Sequence, residues 1–307
     1  MLAAGIARRN TPAAVARSLY IKPLAISASV VEALACGAPV AKAGHRHGAI
    51  LALPGSEDTL FMSAPGRGLL PAHIVVRAHD LERVRAALAG RRAMPAHPHA
   101  ALTLRIDVAD ARRFCSSLAP NPVGVQSVSA RAAIAVVAHY LRASTAPLGL
   151  GAAAAAVLAP GSRWLRYAAA SQDSAPAAES VLRALIGLGA GTTPAGDDFI
   201  IGMLAHAWAR HGRDAPAIAA MRLLGAALPE LTTAASATYL RAAARGEFGS
   251  HLVTWVRALP SALPSRALAL ARRVAGHGAT SGRATLAGFV AAAESASVCS
   301  CREGDRN

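Results

Sequence analysis

"LIGLGAGTTPAGDDFIIGMLAHAW", Leu185 to Trp208, sets five glycines, two threonines, a proline and two adjacent aspartates between two apolar runs. A plain connection needs one or two such residues, so this concentration of backbone freedom and polarity suggests a built site. Pro194 suits the first position of a helix, because its missing N–H would have had no partner there. The Thr193 hydroxyl can cap the free amides that follow. The spacing of Phe199, Ile200, Met203, Leu204 and Ala207 then predicts a helix running towards Arg210. Ahead of it, Gly187, Gly189 and Gly191 allow tight turns whose amides meet the positive end of the helix dipole, an arrangement suited to a phosphate or carboxylate. Asp197 and Asp198 fall in the first turn. They complement the dipole, or one of them holds a divalent cation such as Mg²⁺. The stretch lacks the Gly-Lys-Ser/Thr of a nucleotide-binding P-loop. A helix precedes it where a dinucleotide-binding fingerprint requires a strand. A glycine-rich helix-to-helix turn with an acidic cap is the simpler alternative.

A second stretch repeats the pattern. "AGHGATSGRATLAGF", Ala275 to Phe289, again places glycines and a hydroxyl pair before a helix. Gly196 and Gly202 are six apart, as are Gly282 and Gly288. The second pair member in each helix would let the two helices cross closely. One helix start carries Asp197 and Asp198, the other Arg283. The two loops are therefore expected to meet and aim their helix N-termini at one small anion. Two unrelated glycine turns would explain the same residues. Between the loops, Thr232, Ser236 and Tyr239 share a helical face. They supply hydroxyls to that pocket or lie on the surface. Arg241 and Arg245 can pair with Glu247 or grip an acidic substrate, and Glu247 is a salt-bridge partner or a catalytic base.

The rest of the chain divides in texture. Short apolar runs separated by turn material, "HGAILAL", "TLFMSA", "HIVVRA" and "ALTLRIDV", predict strands before about Val108. "DLERVRAALAG", Asp80 to Gly90, reads as a short helix. After "APNPVGVQS" the segments 130–143, 177–188, 215–228, 231–246, 265–276 and 284–294 all fit helical periodicity. The expected fold is α+β: a β-rich domain at 1–125, an Ala-rich helical domain at 126–296 and a polar tail at 297–307.

Composition narrows the classes. About a quarter of the 307 residues are Ala, which favours helices. The formal charge of +15 is almost wholly arginine, since Lys22 and Lys42 are the only lysines. Those arginines are scattered singly or in pairs, without basic runs, aromatic interleaving or zinc-finger spacing, so nucleic acid is not an expected partner. The cysteines, Cys36, Cys115, Cys299 and Cys301, show neither disulfide density nor metal spacing, which suits a cytoplasmic chain. His45 with His47, and His97 with His99, lack an obvious third ligand, so no metal site is expected. No secretory leader or bilayer-spanning run is visible, and no membrane association is expected.

The segments "GLGAGTTPAGDDFIIGML", "TTAASATYLRAAARGEF" and "GATSGRATLAGF", in this order, resemble the AllH-type family, formerly a family of unknown function. "GHRHGAILAL" is a weaker match to its early strand. The resemblance implies a subunit of a bacterial oxamate carbamoyltransferase, moving a carbamoyl group between oxamate and phosphate in purine and allantoin breakdown. It also implies two further subunits as partners, one resembling acyl-CoA synthetases. On that reading Gly189, Gly191, Thr192 and Thr193, with Gly196, Ser236, Ser281 and Gly282, would bind a small anionic substrate. Asp197 or Asp198 would orient the nucleophile or hold Mg²⁺, and Arg283 would neutralise a second anion. Arg283-Ala284 stands where many relatives are expected to carry an acidic residue, which bears on oxamate specificity. A non-catalytic anion-binding or assembly subunit is the alternative.

Overall fold

A computed structural model describes residues 18–45, 47–66, 68–92, 102–144 and 175–304. His97, His99 and the apolar run 148–160 lie outside the described residues.

The first half forms one mixed sheet in the order β1-β7-β3-β4-β5-β6-β2-β8. Its strands are β1 (Ser18–Ile21), β2 (Ala25–Ser27), β3 (Val40–His45), β4 (Gly48–Ala52), β5 (Thr59–Ser63), β6 (His73–Val75), β7 (Leu102–Ile106) and β8 (Arg112–Phe114). β3, β4 and β5 make an antiparallel meander, and β5 and β6 then run parallel. Helix α1 (Ala28–Leu34) follows β2, and α2 (Ala78–Arg92) packs against β3 and β4. One core fills this half, with Ile26, Leu51, Leu60, Met62, Ile74 and Leu104 fully enclosed. β4, β5, β6 and β7 lie where the apolar runs place them. β1, β2 and β8 were not anticipated: they are three or four residues long, too short for alternation to show.

The second half is helical: α3 (Pro122–Val125), α4 (Val128–Ala143), α5 (Ala175–Leu185), α6 (Ala195–His211), α7 (Pro216–Leu224), α8 (Leu228–Leu231), α9 (Ala234–Ala244), α10 (Ser250–Ala258), α11 (Pro264–Ala275) and α12 (Ser281–Gly304). The architecture is thus α+β. A second core begins at Leu118 and runs to Ala293, with Trp255, Phe289 and Leu240 among its enclosed side chains. Helix α12 continues to Gly304, through most of the segment expected to be a polar tail. None of the helices searched among the described residues is long and apolar enough to cross a membrane.

Helices α6 and α12 form the centre of this half, and glycines set their distance. A Cβ on Gly202 would lie 1.8 Å from the Thr285 carbonyl oxygen, and one on Gly288 would lie 1.9 Å from that of Phe199. No side chain fits there, so the backbones touch. The close crossing expected from the two glycine pairs is present.

The two halves are stitched along one seam. Ser250 N–H donates to the Leu69 carbonyl at 2.7 Å, and Leu69 N–H donates to the Ser250 hydroxyl at 3.0 Å. The Phe61 and Tyr239 rings stack at 4.4 Å. Arg241 reaches Asp58 at 2.8 Å, so its partner is the β5 approach rather than Glu247. Glu247 instead lies 4.0 Å from Arg245.

Candidate functional site

The two glycine loops meet. The Thr193 and Ser281 hydroxyls are 3.0 Å apart, at the starts of α6 and α12. Thr193 therefore does not cap its own helix: Pro194 is the cap residue, and no side chain caps it. The hydroxyl instead faces the neighbouring loop and Asp198.

The adjacent aspartates point in different directions. Successive residues on a helix are about 100° apart, so Asp197 and Asp198 cannot face the same way. Asp197 turns inward beneath its own loop. Its Oδ1 accepts the Gly187 N–H at 2.8 Å, and its Oδ2 accepts the Thr232 hydroxyl. The Ser236 hydroxyl, on α9, lies near this carboxylate and favours its charged form without making a hydrogen bond of normal geometry. Burial nonetheless raises the Asp197 pKa above its usual value. The anion that the glycine loop was expected to bind from solution is, at Gly187, the protein's own side chain. Helix-start amides are engaged as well: Asp197 and Asp198 N–H donate to the Pro194 carbonyl, Gly196 N–H to Leu188, and Gly282 N–H to His277.

Asp198 faces a cavity instead. It is 5 % exposed, and its Oδ2 has no hydrogen-bond partner. Burial pushes its pKa up to about 7, opposed by the nearby Ser281 and Thr193 hydroxyls and reinforced by Asp197. Ile201, one turn on, lies on the same face, as do Ser281, Gly282 and Thr285 across the gap. Tyr239, Glu247, His251 and His277 complete the polar lining, and the loop 68–71 from the sheet half closes one wall. The space measures about 90 Å³. A water molecule takes roughly 30 Å³ of liquid, and pockets for drug-sized ligands run to several hundred. A ligand of a handful of non-hydrogen atoms fits this space.

Of the residues expected to bind substrate, Thr193, Ser281 and Gly282 line this cavity. Gly189, Gly191, Thr192, Gly196 and Ser236 do not. Gly189 and Gly191, at φ 109° and 107°, serve the turn itself. The Thr192 carbonyl accepts the Thr233 hydroxyl at 2.6 Å. A Cβ on Gly196 would sit 2.0 Å from the Leu185 carbonyl, so this glycine lets α6 press on the end of α5. Arg283 is buried but does not line the cavity, because it is two residues and roughly 200° round the helix from Ser281. Neither it nor any other Arg or Lys supplies positive charge to the described lining. As for Mg²⁺, the described residues contain no group of three His, Cys, Asp or Glu that could hold a metal.

His73, His251 and His277 were not singled out as site residues from the sequence, whereas Glu247, weighed there as a salt-bridge partner or a catalytic base, does line the cavity. One signal was present: "GSHL" at Gly249 to Leu252 is another glycine and hydroxyl before a helix. His73 supports the cavity wall from behind. It is 1 % exposed; its Nδ1 accepts the Leu70 N–H at 3.3 Å and its Nε2 lies 2.9 Å from the Ser63 hydroxyl. Ser63 donates onward to the Ala64 carbonyl, so the imidazole is neutral with its proton on Nε2. Burial, then His277, lowers its pKa to about 4.

Two expectations follow from these supports. Asp197→Ala leaves the Gly187 N–H and the Thr232 hydroxyl without their acceptor, at a cost of about 2–4 kcal/mol, whereas Asp197→Asn retains an acceptor oxygen and costs about 1. Denaturant unfolding of the two variants measures this difference. For His73 the folded pKa is depressed, so the unfolded chain binds the proton more readily. Stability is full above the ordinary histidine value and is lost as pH falls from about 6.5 towards 4. His73→Gln should flatten the melting temperature across that window relative to the unsubstituted protein.

A small, partly open site lined by two carboxyl groups, Asp198 and Glu247, each with one buried oxygen that lacks a partner, lies beside the crossing of two glycine-spaced helices. Most of its lining lies within residues 185–293, which match the family described as oxamate carbamoyltransferase subunit AllH. No solved structure matches the chain.

Proposed function

We propose that this chain is a subunit of a carbamoyltransferase acting on a small carboxylate or ureide, in purine or allantoin breakdown, and that the Asp198 cavity is its reaction site. The observation that carries the proposal is Asp198 itself: a buried carboxyl with one oxygen unpartnered, in a space sized for a few atoms. Burying such a group without a partner is costly, so its retention argues for a ligand that completes it. With a pKa near neutrality it is suited to proton transfer at working pH. On this reading a substrate N–H gives its proton to Asp198 as the nitrogen attacks the carbamoyl carbon. The bond from that carbon to phosphate oxygen breaks, and phosphate leaves. Thr193 and Ser281 orient the group beside the carboxylate. Other carbamoyltransferase subunits, the partners the family description implies, complete the enzyme.

A second reading is that the chain binds a small ligand or supports assembly while a partner subunit does the chemistry. The absence of Arg and Lys from the described lining favours it, because phosphate departure is normally helped by cations. Carbamoyl phosphate turnover, measured with the chain alone and then with its partner subunits, tests both. The catalytic reading requires turnover in the complex that depends on Asp198. Full turnover with Asp198→Asn in the complex would establish the supporting role.

A further inference from the structure

The cavity contains acceptors and hydroxyls where an anion would need cations. Asp198 and Glu247 are both acids, and burial raises the pKa of each. The remaining wall is largely apolar, contributed by Leu70, Ile201, Phe248, Leu252 and Val274. His251 and His277 are the only described lining groups able to carry positive charge, and burial lowers the His251 pKa. A phosphate or a second carboxylate placed here would find hydroxyls and two imidazoles but no Arg or Lys among the described lining, and would sit beside two carboxyl groups. N–H donors would instead satisfy the buried oxygens that lack a partner, Asp198 Oδ2 and Glu247 Oε2.

We infer that this cavity recognises the uncharged amide end of its ligand, a carbamoyl or carboxamide group, through an N–H donated to Asp198 Oδ2, and that it excludes phosphate. The inference rests on the functional proposal above and sharpens it: Asp198 becomes the residue that chooses amide over anion. The charges that hold phosphate then come from outside this lining. An adjoining cleft of about 420 Å³ shares Gly68, Leu69, Ser250 and His251 with the cavity and is also lined by Arg112. That cleft, or a partner subunit docked over it, is where an anionic end would emerge.

Oxamate and oxalate make the test, because they differ by one amide in place of one carboxylate. Affinities of the full chain for oxamate, oxalate and inorganic phosphate, measured by calorimetry at pH 8, should rank oxamate first by at least tenfold. In Asp198→Asn that preference should shrink by tenfold or more. Asn is nearly isosteric with Asp, and if this variant fails to fold, the unsubstituted protein decides alone. Its ¹³C-labelled aspartate carboxyl signals should include one that moves with oxamate and not with phosphate. Oxalate or phosphate binding as tightly as oxamate would overturn the inference, and so would no measurable oxamate binding or an unchanged preference in the variant. The carbamoyl phosphate assay separates the two proposals. Transfer without amide preference sinks the recognition role alone; amide preference without transfer sinks the catalytic role alone.

Discussion

Asp198→Asn should reduce carbamoyl transfer in the reconstituted complex by at least a hundredfold while making the subunit more stable at pH 8. The two effects share one cause. Burial raises the Asp198 pKa to about 7, so the folded state binds its proton more tightly than the unfolded chain does. Stability from this group is present below the ordinary aspartate value and is lost as pH rises through 7. Above that pH a buried carboxylate is carried at a cost of up to about 4 kcal/mol, which Asn removes. Asn cannot accept a proton at working pH, so a proton-transfer role disappears with the charge. A simple helix cap predicts the reverse pattern, a small loss of stability and near-normal rate. Melting curves at pH 4 and pH 8, beside turnover, distinguish the two. Asp197→Asn serves as the control, because Asp197 is occupied by Gly187 and Thr232 and faces away from the cavity.

The second large effect is structural. Gly202→Ala would put a methyl group 1.8 Å from the Thr285 carbonyl oxygen and 2.8 Å from the Phe289 nitrogen. Both obstacles are helix backbone, which cannot rotate aside as a side chain can. The crossing must open by more than an ångström along the most closely packed helix pair. Overpacking commonly costs about 1–3 kcal/mol, and obstruction by backbone places this substitution at about 3 or more. Gly288→Ala meets the Phe199 carbonyl in the same way and should cost a similar amount. Against a domain stability of roughly 5–15 kcal/mol, the double variant should fail to fold. Because Asp198 and Ser281 stand on these two helices, either single variant should also lower activity at temperatures where it remains folded.

The crossing was legible in the sequence because glycine six residues from glycine, twice, has a geometric meaning that survives without coordinates. The meeting of the two loops was legible for the same reason. Which aspartate faces the site was not. It depends on the phase of α6 relative to α5, α9 and α12, and a one-residue difference turns a side chain by about 100°. The sequence suggested that the loop amides would hold an external anion; at Gly187 the amide is taken instead by the chain's own Asp197. Arg283 looked like a cation for the pocket by proximity in sequence, yet helical phase carries it off the cavity wall. His251, His277 and the wall at 68–71 come from segments far apart in the chain. Only the seam between sheet and helices assembles them. In the sheet, runs such as "TLFMSA" announced their strands, but β1, β2 and β8 are held by pairing with their neighbours rather than by any pattern of their own.

A crystal structure of the full chain soaked with oxamate would show whether a small amide-bearing ligand occupies the cavity at Asp198. Ligand density is expected between Asp198, Ser281 and His277, with the amide nitrogen about 3 Å from Asp198 Oδ2. Density at another surface with this cavity left to water, or a carboxylate end turned towards Asp198, would contradict this expectation.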